Sequence, residues 1–360
     1  MYYPDQRYAS PLTIIRRECR LPEEASGSVK LKVSAGERVD VRDIVATGSR
    51  PAPYIIIEAA RFFGLRRPQD LDKLVRMNLG DRVEAGQVIA GKSLTRGKRL
   101  YSPVTGYIAY IGDGRIIMQE MAETISLEAG VRGRVAAIEE GRGVSIDAVG
   151  AQIQGVWGND RNVIATLEMM PEAGIQAITS NSLETRFSGA MLVTRNPLTA
   201  EMVQAIAEQD FAGIIAPSMD ATLLEAVLAL RGAVILIDGF GDMRMSAAIY
   251  NLLESFAGHQ ATVDANQPNR WESRYPEVII NLPANTEERP SRPSGLLALR
   301  PGMSVRVTRE PHLGATGRVT KIPKNPTRLP NGLRLPCAQV ELVIGETVFV
   351  PLANLELLGR

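Results

Sequence analysis

Two carboxylates and two glycines fall within five residues at Asp238-Gly239-Phe240-Gly241-Asp242, the stretch of this chain best composed to hold a small ligand. Glycines let backbone approach a ligand closely, and paired carboxylates are donors for a hard divalent cation. The loop lacks the third glycine and helix spacing of a dinucleotide fingerprint, and it has no phosphate-loop lysine. Its two acids would repel a phosphate unless a cation intervened. A tight turn leading into an acidic helix start is the plainer account of the same residues. His259, His312, Cys19 and Cys337 are the only residues of their types. They are too few and too scattered for a tetrahedral zinc site, a His-dependent nucleophile or a disulfide framework. No catalytic residue, no metal site and no cofactor is expected, which points away from an enzyme.

The second candidate chemistry is phosphate contact. Arg306, Arg309, Arg318, Lys321, Lys324, Arg328 and Arg334 cluster near the C-terminus. Residues 289–360 carry 11 Lys/Arg against 4 Asp/Glu, whereas residues 159–288 carry 7 against 17. This asymmetry, hidden by a net charge of +1, suggests separate modules with any polyanion meeting the last one. Attraction between the acidic middle and the basic end is the competing account. Arg306 and Arg318 are expected to share one outer strand face, with residues 321–328 forming a basic loop. Phe349 is the only aromatic in this module, so no base-stacking platform is visible there, and binding to RNA or DNA should be sequence-tolerant.

The elements that position these residues follow from periodicity. Apolar runs at 190–193, 213–216, 234–237 and 261–263 alternate with helical spacing at 199–208, 220–230 and 246–257. That alternation predicts a Rossmann-like α/β domain with a parallel sheet, extended by a strand at 277–281. Thr199, Asp220 (or Ser218) and Ser246 are the expected N-caps. Ligands of such sheets bind at the carboxyl ends of the strands, which places Asp238, Gly239, Gly241 and Asp242 at the mouth. After a flexible linker at 283–295, strands at 304–308, 318–322, 338–343, 347–350 and 355–358 predict a small five-stranded barrel.

The N-terminal part repeats itself. Residues 36–46 align without gaps on residues 80–90, with Gly36, Arg38, Val39 and Ala46 matching Gly80, Arg82, Val83 and Ala90. A shorter theme recurs at 102–108 and 130–135. The Gly-acid-x-Val pattern followed by Ser102-Pro103-Val104-Thr105-Gly106-Tyr107-Ile108 resembles the biotinyl/lipoyl-like barrel-sandwich hybrid. In carriers of that class a modified lysine sits about eight residues before the proline, which here is Thr95. Lys92 and Lys98 lack the flanking signature, so the resemblance implies an unmodified scaffold with a helical insertion. The stretch from Pro301-Gly302-Met303 through Val305 and Val307 to Gly314, Gly317 and Val319 resembles the KOW motif of ribosomal and transcription-elongation proteins. Met303 replaces the usual acid after the first glycine.

Composition sets the outer bounds. With 45% apolar and 22% charged residues the chain can build real cores, and no apolar run reaches the ~18 residues of a membrane span. The polar N-terminus has no signal-peptide core, and the paucity of cysteine suits a reducing, cytoplasmic setting. The expected organisation is a barrel-sandwich-hybrid-like domain over 1–158, the α/β domain over 159–282, the linker at 283–295 and the KOW-like barrel over 296–360. The expected function is a non-enzymatic cytoplasmic scaffold or adaptor docking on a protein assembly associated with ribosomes or transcription. The alternative is a small-molecule- or metal-binding subunit, enzymatic or not, acting through the 238–242 loop. No membrane insertion is expected. The intact mass of protein from its native source should carry no biotinyl or lipoyl increment; a stoichiometric adduct on Lys92 or Lys98 overturns the scaffold reading.

Overall fold

The two copies of the N-terminal repeat fold alike. In the computed structural model, which describes residues 5–7, 9–21, 25, 29–50, 52–93, 97–179, 185–267, 275–282 and 297–358, each copy opens on the same turn. Ser34 N–H donates to Glu37 Oε2 (2.8 Å) and Asn78 N–H to Asp81 Oδ2 (2.7 Å), while Gly36 and Gly80 hold φ of 83° and 87°. A positive φ is open to glycine at little steric cost, which is why the repeat keeps it. Each turn then feeds a short strand with the same register: Val39 lies opposite Gly133, and Val83 opposite Gly106. The recurring theme at 102–108 and 130–135 is therefore the partner strand of each copy. Thr95 and the expected linker at 283–295 lie outside the described residues.

The second copy is nested inside the first. Strand Ile44–Arg50 pairs antiparallel with Glu123–Glu128, and residues 52–122 form a unit inserted between them. That unit has its own core of Leu71, Val83, Ile89, Leu100, Ile108, Ile116 and Met118. The outer copy packs Ile15, Val39, Val45, Val135, Val144 and Ile146.

Strands Asn162–Met169, Met191–Val193, Gly213–Met219 and Ala233–Phe240 lie side by side and parallel. Helices Ala200–Glu208 and Leu224–Leu228 cover one face through Met202, Val203, Ile206 and Val227. Helix Ala247–Ser255 covers the other through Ile249 and Leu253. Thr199 and Ser246 cap their helices, and Asp220 caps the short 3-10 turn Ala221–Leu223.

The sheet is mixed rather than wholly parallel. The 261–263 run, expected among the parallel strands, belongs to Gln260–Asp264, which is antiparallel to Asn162–Met169. The reason is where the chain re-enters: Gly258 N–H donates to Leu167 O and Leu167 N–H to His259 O. The chain thus returns at the end where the parallel strands finish, so the next strand must run back. Trp157–Gly158 pairs antiparallel at the other edge.

This sheet continues into the repeat region as one eleven-stranded sheet. Strand Gly143–Gln154 is the junction, pairing with Glu277–Asn281, Gly133–Glu139 and Ala9–Arg20. Buried beneath it is Arg17, whose Nη1 lies 3.1 Å from Asp264 Oδ2 and 3.7 Å from Glu277 Oε1. Its Nε donates to Ala129 O (3.1 Å), and Gln152 Nε2 donates to Glu277 Oε2 (2.7 Å). Desolvation opposes the Arg17 charge, but Asp264 and Glu277, helped by Cys19, outweigh it and hold the guanidinium above its ordinary pKa. No described helix is long and apolar enough to cross a membrane.

Gly106 and Gly133 occupy equivalent places, and a Cβ at either would collide with the facing strand's carbonyl, Gln119 O or Asp147 O respectively. Gly106→Ala and Gly133→Ala should each cost about 1–3 kcal/mol by overpacking, read as a lowered unfolding midpoint in circular dichroism. Unchanged midpoints would show that the two copies do not pack as described.

Candidate nucleic-acid interface

The C-terminal unit is built on alternation, broken once by a bulge. In strands Ser304–Val307, Thr316–Lys321, Cys337–Leu342, Thr347–Pro351 and Leu355–Leu358, the core takes Val305, Val307, Val319, Val340, Leu355 and Leu357. The opposite parity, including Ser304, Arg306, Arg318 and Glu356, faces outward. Strand Asp5–Arg7 joins this sheet in parallel beside Leu355–Leu358, so the N-terminal segment completes the C-terminal unit.

A register shift between Val319 and Lys321 decides where the next cation goes. Val319 pairs with Val340 but Lys321 pairs with Gln339, so Thr320 is the extra residue of a bulge. Uninterrupted alternation would turn Lys321 toward the core; the bulge turns it out. Beyond it the chain makes an arm stiffened by Pro323, Pro326, Pro330 and Pro336, in which Thr327–Arg328 pairs with Arg334–Leu335. Leu329 N–H to Leu333 O and Gly332, at φ 85°, close its tip. Arg328 and Arg334 lie directly opposite each other, a like-charge pair that is unfavourable in isolation.

Arg318, Lys321, Lys324, Arg328 and Arg334 are all exposed and run from the strand onto the arm. None is in an ion pair with a described carboxylate, although Arg318 sits in register with Glu341. Arg309 is also exposed, but in the 308–315 loop at the opposite end of the 304–321 hairpin, so it is not gathered with the others.

Arg306 departs from its expected role. It shares the outer face with Arg318 by parity, but it is only 4% exposed because that end of the face is covered by the α/β region. Its Nη2 donates to Glu356 Oε2 (2.7 Å) and its Nε to the same oxygen (3.1 Å). Its Nη1 is ion-paired with Asp238 and donates to Ile237 O at 3.4 Å. Arg306 therefore meets carboxylates, not phosphates, and the same contact engages Asp238, the leading residue of the 238–242 ligand candidate.

The rest of that loop is also tied inward. Gly239 and Gly241 have φ of 106° and 133°, so both serve the turn geometry. The fully buried Ser218 hydroxyl donates to Met243 O and accepts from Met243 N–H, both at 2.9 Å, and Gly241 N–H donates to Met219 O. Phe240 packs edge-on against Trp157. Of the loop's two carboxylates only Asp242 is at the surface, beside the exposed Phe240 and Gly241. Among the described residues no three His, Cys, Asp or Glu side chains converge on a common point. Both cysteines are buried, and burial pushes the Cys337 thiol above its ordinary pKa.

Sequence reasoning missed the Arg306–Asp238 contact, which spans 68 positions (306 − 238) and leaves no local pattern. One weak signal was available: Glu356 is one of only four acids in the basic module, at outward parity on the strand next to Arg306. No family model and no curated protein matches the chain.

Arg306→Met would leave Asp238 and Glu356 buried without their cation, and should cost about 3–5 kcal/mol. Arg318→Ala, at the exposed end of the same face, should stay within about 0.5 kcal/mol of the parent. Thermal unfolding of the two variants makes the comparison; equal midpoints would mean that the Arg306 contact does not hold the seam.

Proposed function

We propose that this chain is a non-catalytic, cytoplasmic scaffold that docks on a nucleoprotein assembly through phosphate contacts from its C-terminal unit. The observation that carries the reading is the run of exposed cations, in no ion pair with a described carboxylate, from Arg318 through Lys321 and Lys324 to the facing pair Arg328 and Arg334. Holding two arginines opposite each other on a stiff arm disfavours the isolated chain, and a polyanion relieves that repulsion. The KOW-like sequence of this unit and the barrel-sandwich-like repeat of the N-terminal part fit the same reading, as modules that dock rather than react. Ribosomal RNA or transcription machinery is the favoured class of assembly on that resemblance. Arg306 is withdrawn from the binding set, and Arg309 belongs to a separate position. The competing ligand reading of residues 238–242 loses Asp238 to the buried ion pair.

The test uses the full chain and labelled RNA and DNA oligonucleotides across a salt series. Binding should be weak, show little sequence preference and fall steeply with salt. Each phosphate contact contributes about 0.9 to the log–log slope, so replacing Arg318, Lys321 and Lys324 by Ala should flatten it by roughly two to three. Absence of saturable binding even near ~50 mM salt overturns the proposal. So does tight, salt-insensitive capture of one protein partner in place of nucleic acid.

A further inference from the structure

The inserted unit, residues 52–122, holds six of the chain's 18 aromatic residues, and its 11 Lys/Arg against 7 Asp/Glu give it a net positive charge. Three of the six, Tyr54, Tyr107 and Tyr110, lie on one open sheet face formed by Tyr54–Ile57, Arg115–Glu120, Gly106–Gly112 and Arg82–Val83. Register builds the face in rows. Tyr54, Gln119, Tyr107 and Arg82 are successive partners across the four strands, and Ile56, Ile117 and Tyr110 form the neighbouring row. Tyr54 is 63% exposed, Tyr107 42% and Tyr110 41%. Simple alternation would put Tyr107 and Tyr110, three residues apart, on opposite faces. A register shift between Ile108 and Tyr110 puts them on the same one. The Tyr110 hydroxyl donates to Asp113 Oδ2 (3.0 Å), which orients that ring.

We infer that this face is a stacking platform for single-stranded nucleic acid. The inference deepens the proposed function, and rests on it for the class of ligand, while naming a different surface. Three flat rings in two adjacent rows offer sequence-tolerant stacking for unpaired bases, the contribution that the C-terminal unit, with Phe349 alone, lacks. Charge complementarity favours a polyanion over a neutral partner. Arg82 ends one row in no ion pair with a described residue, and Arg115 stands at the far end of the face, half-exposed and bound to Glu58 at 2.8 Å. Gln119 between two tyrosines supplies amide donors and an acceptor for a base edge. The face itself is a pleated sheet with no described helix projecting from it, so it suits splayed bases and not the groove of a duplex.

The experiment measures anisotropy of a labelled oligouridylate, and of a duplex of equal length, with the full chain at low salt. Tyr54→Ala and Tyr107→Ala should each weaken single-strand binding by at least about fivefold, the lower end for one base–aromatic stack. Tyr107→Phe, which keeps the ring, should restore it. The alanine variants should leave the salt slope and the unfolding midpoint unchanged, because the rings are exposed and contact no phosphate. Alanine variants that bind like the parent overturn the inference, and if the C-terminal cation variants still flatten the salt slope, the proposed function stands without it. A duplex bound as tightly as the single strand overturns it too. Loss of self-association in the alanine variants, with oligonucleotide affinity unchanged, would make the face a contact between copies of the chain and overturn it. A parent protein that binds no oligonucleotide overturns both readings together.

Discussion

A single guanidinium, Arg306, sits where the C-terminal unit meets the α/β region, and its burial constrains both. A charge removed from water must find opposite charge and hydrogen-bond acceptors in the same place, and here they come from two parts of the chain: Glu356 from the adjacent strand of its own sheet and Asp238 with Ile237 O from the end of Ala233–Phe240. Satisfying all of them fixes how the C-terminal sheet sits on the α/β strands. It also divides one outward face into a covered end, at Arg306, and an open end, at Arg318. The strand Asp5–Arg7, lying beside Leu355–Leu358, ties the N-terminal segment into the same sheet.

The seam around Arg17 has the same composition: one buried arginine, two carboxylates, Asp264 and Glu277, and a neighbouring amide from Gln152. It lies where the α/β strands pass into the strands of the nested repeat. Buried pairs of this kind are poor sources of net stability, since desolvation offsets most of the attraction. Their effect is on specificity, because any other alignment of the two regions leaves a charge buried without compensation. One continuous sheet and the Arg17 seam join the α/β region to the outer copy of the repeat, and the Arg306 seam joins the C-terminal unit to the α/β region. The inserted unit that carries the tyrosine face keeps its own four-stranded sheet, and no residue of either seam belongs to it.

Most of the local structure was legible in the sequence. The helices at 200–208 and 247–255 follow apolar spacing and begin at the expected caps, and the strands of the C-terminal unit fall within two residues of where alternation put them. The repeat at 36–46 and 80–90 was visible as matched residues, although the nesting of one copy inside the other was not. What escaped has two physical causes. Alternation is broken by an extra residue at a bulge, and both the exposure of Lys321 and the shared face of Tyr107 and Tyr110 depend on bulges that no residue type announces. Parity also says which way a side chain points without saying what covers it, so Arg306 and Arg318 were indistinguishable until the α/β region was placed against one of them. Asp238 was misjudged for the same reason, as an open mouth residue when a distant arginine already engages it.

Two surfaces with different physics follow from this arrangement. The arm carries charge but almost no aromatic surface, so in the proposed complex its contribution to polyanion binding would be long-ranged, salt-sensitive and indifferent to sequence. In the inferred mode the tyrosine face adds ring stacking to the charge of Arg82, so its stacking contribution would be short-ranged and selective for unpaired bases over a duplex. Either alone is a weak site. If one strand engaged both, binding at the first would raise the effective concentration of the second, with a gain set by how well the strand spans the distance between them. A frame free to flex would dilute that gain, because the second contact would then also have to order the protein. Arg306 bears on the first of these proposed contacts alone, because it fixes how the sheet that carries the arm sits on the α/β region.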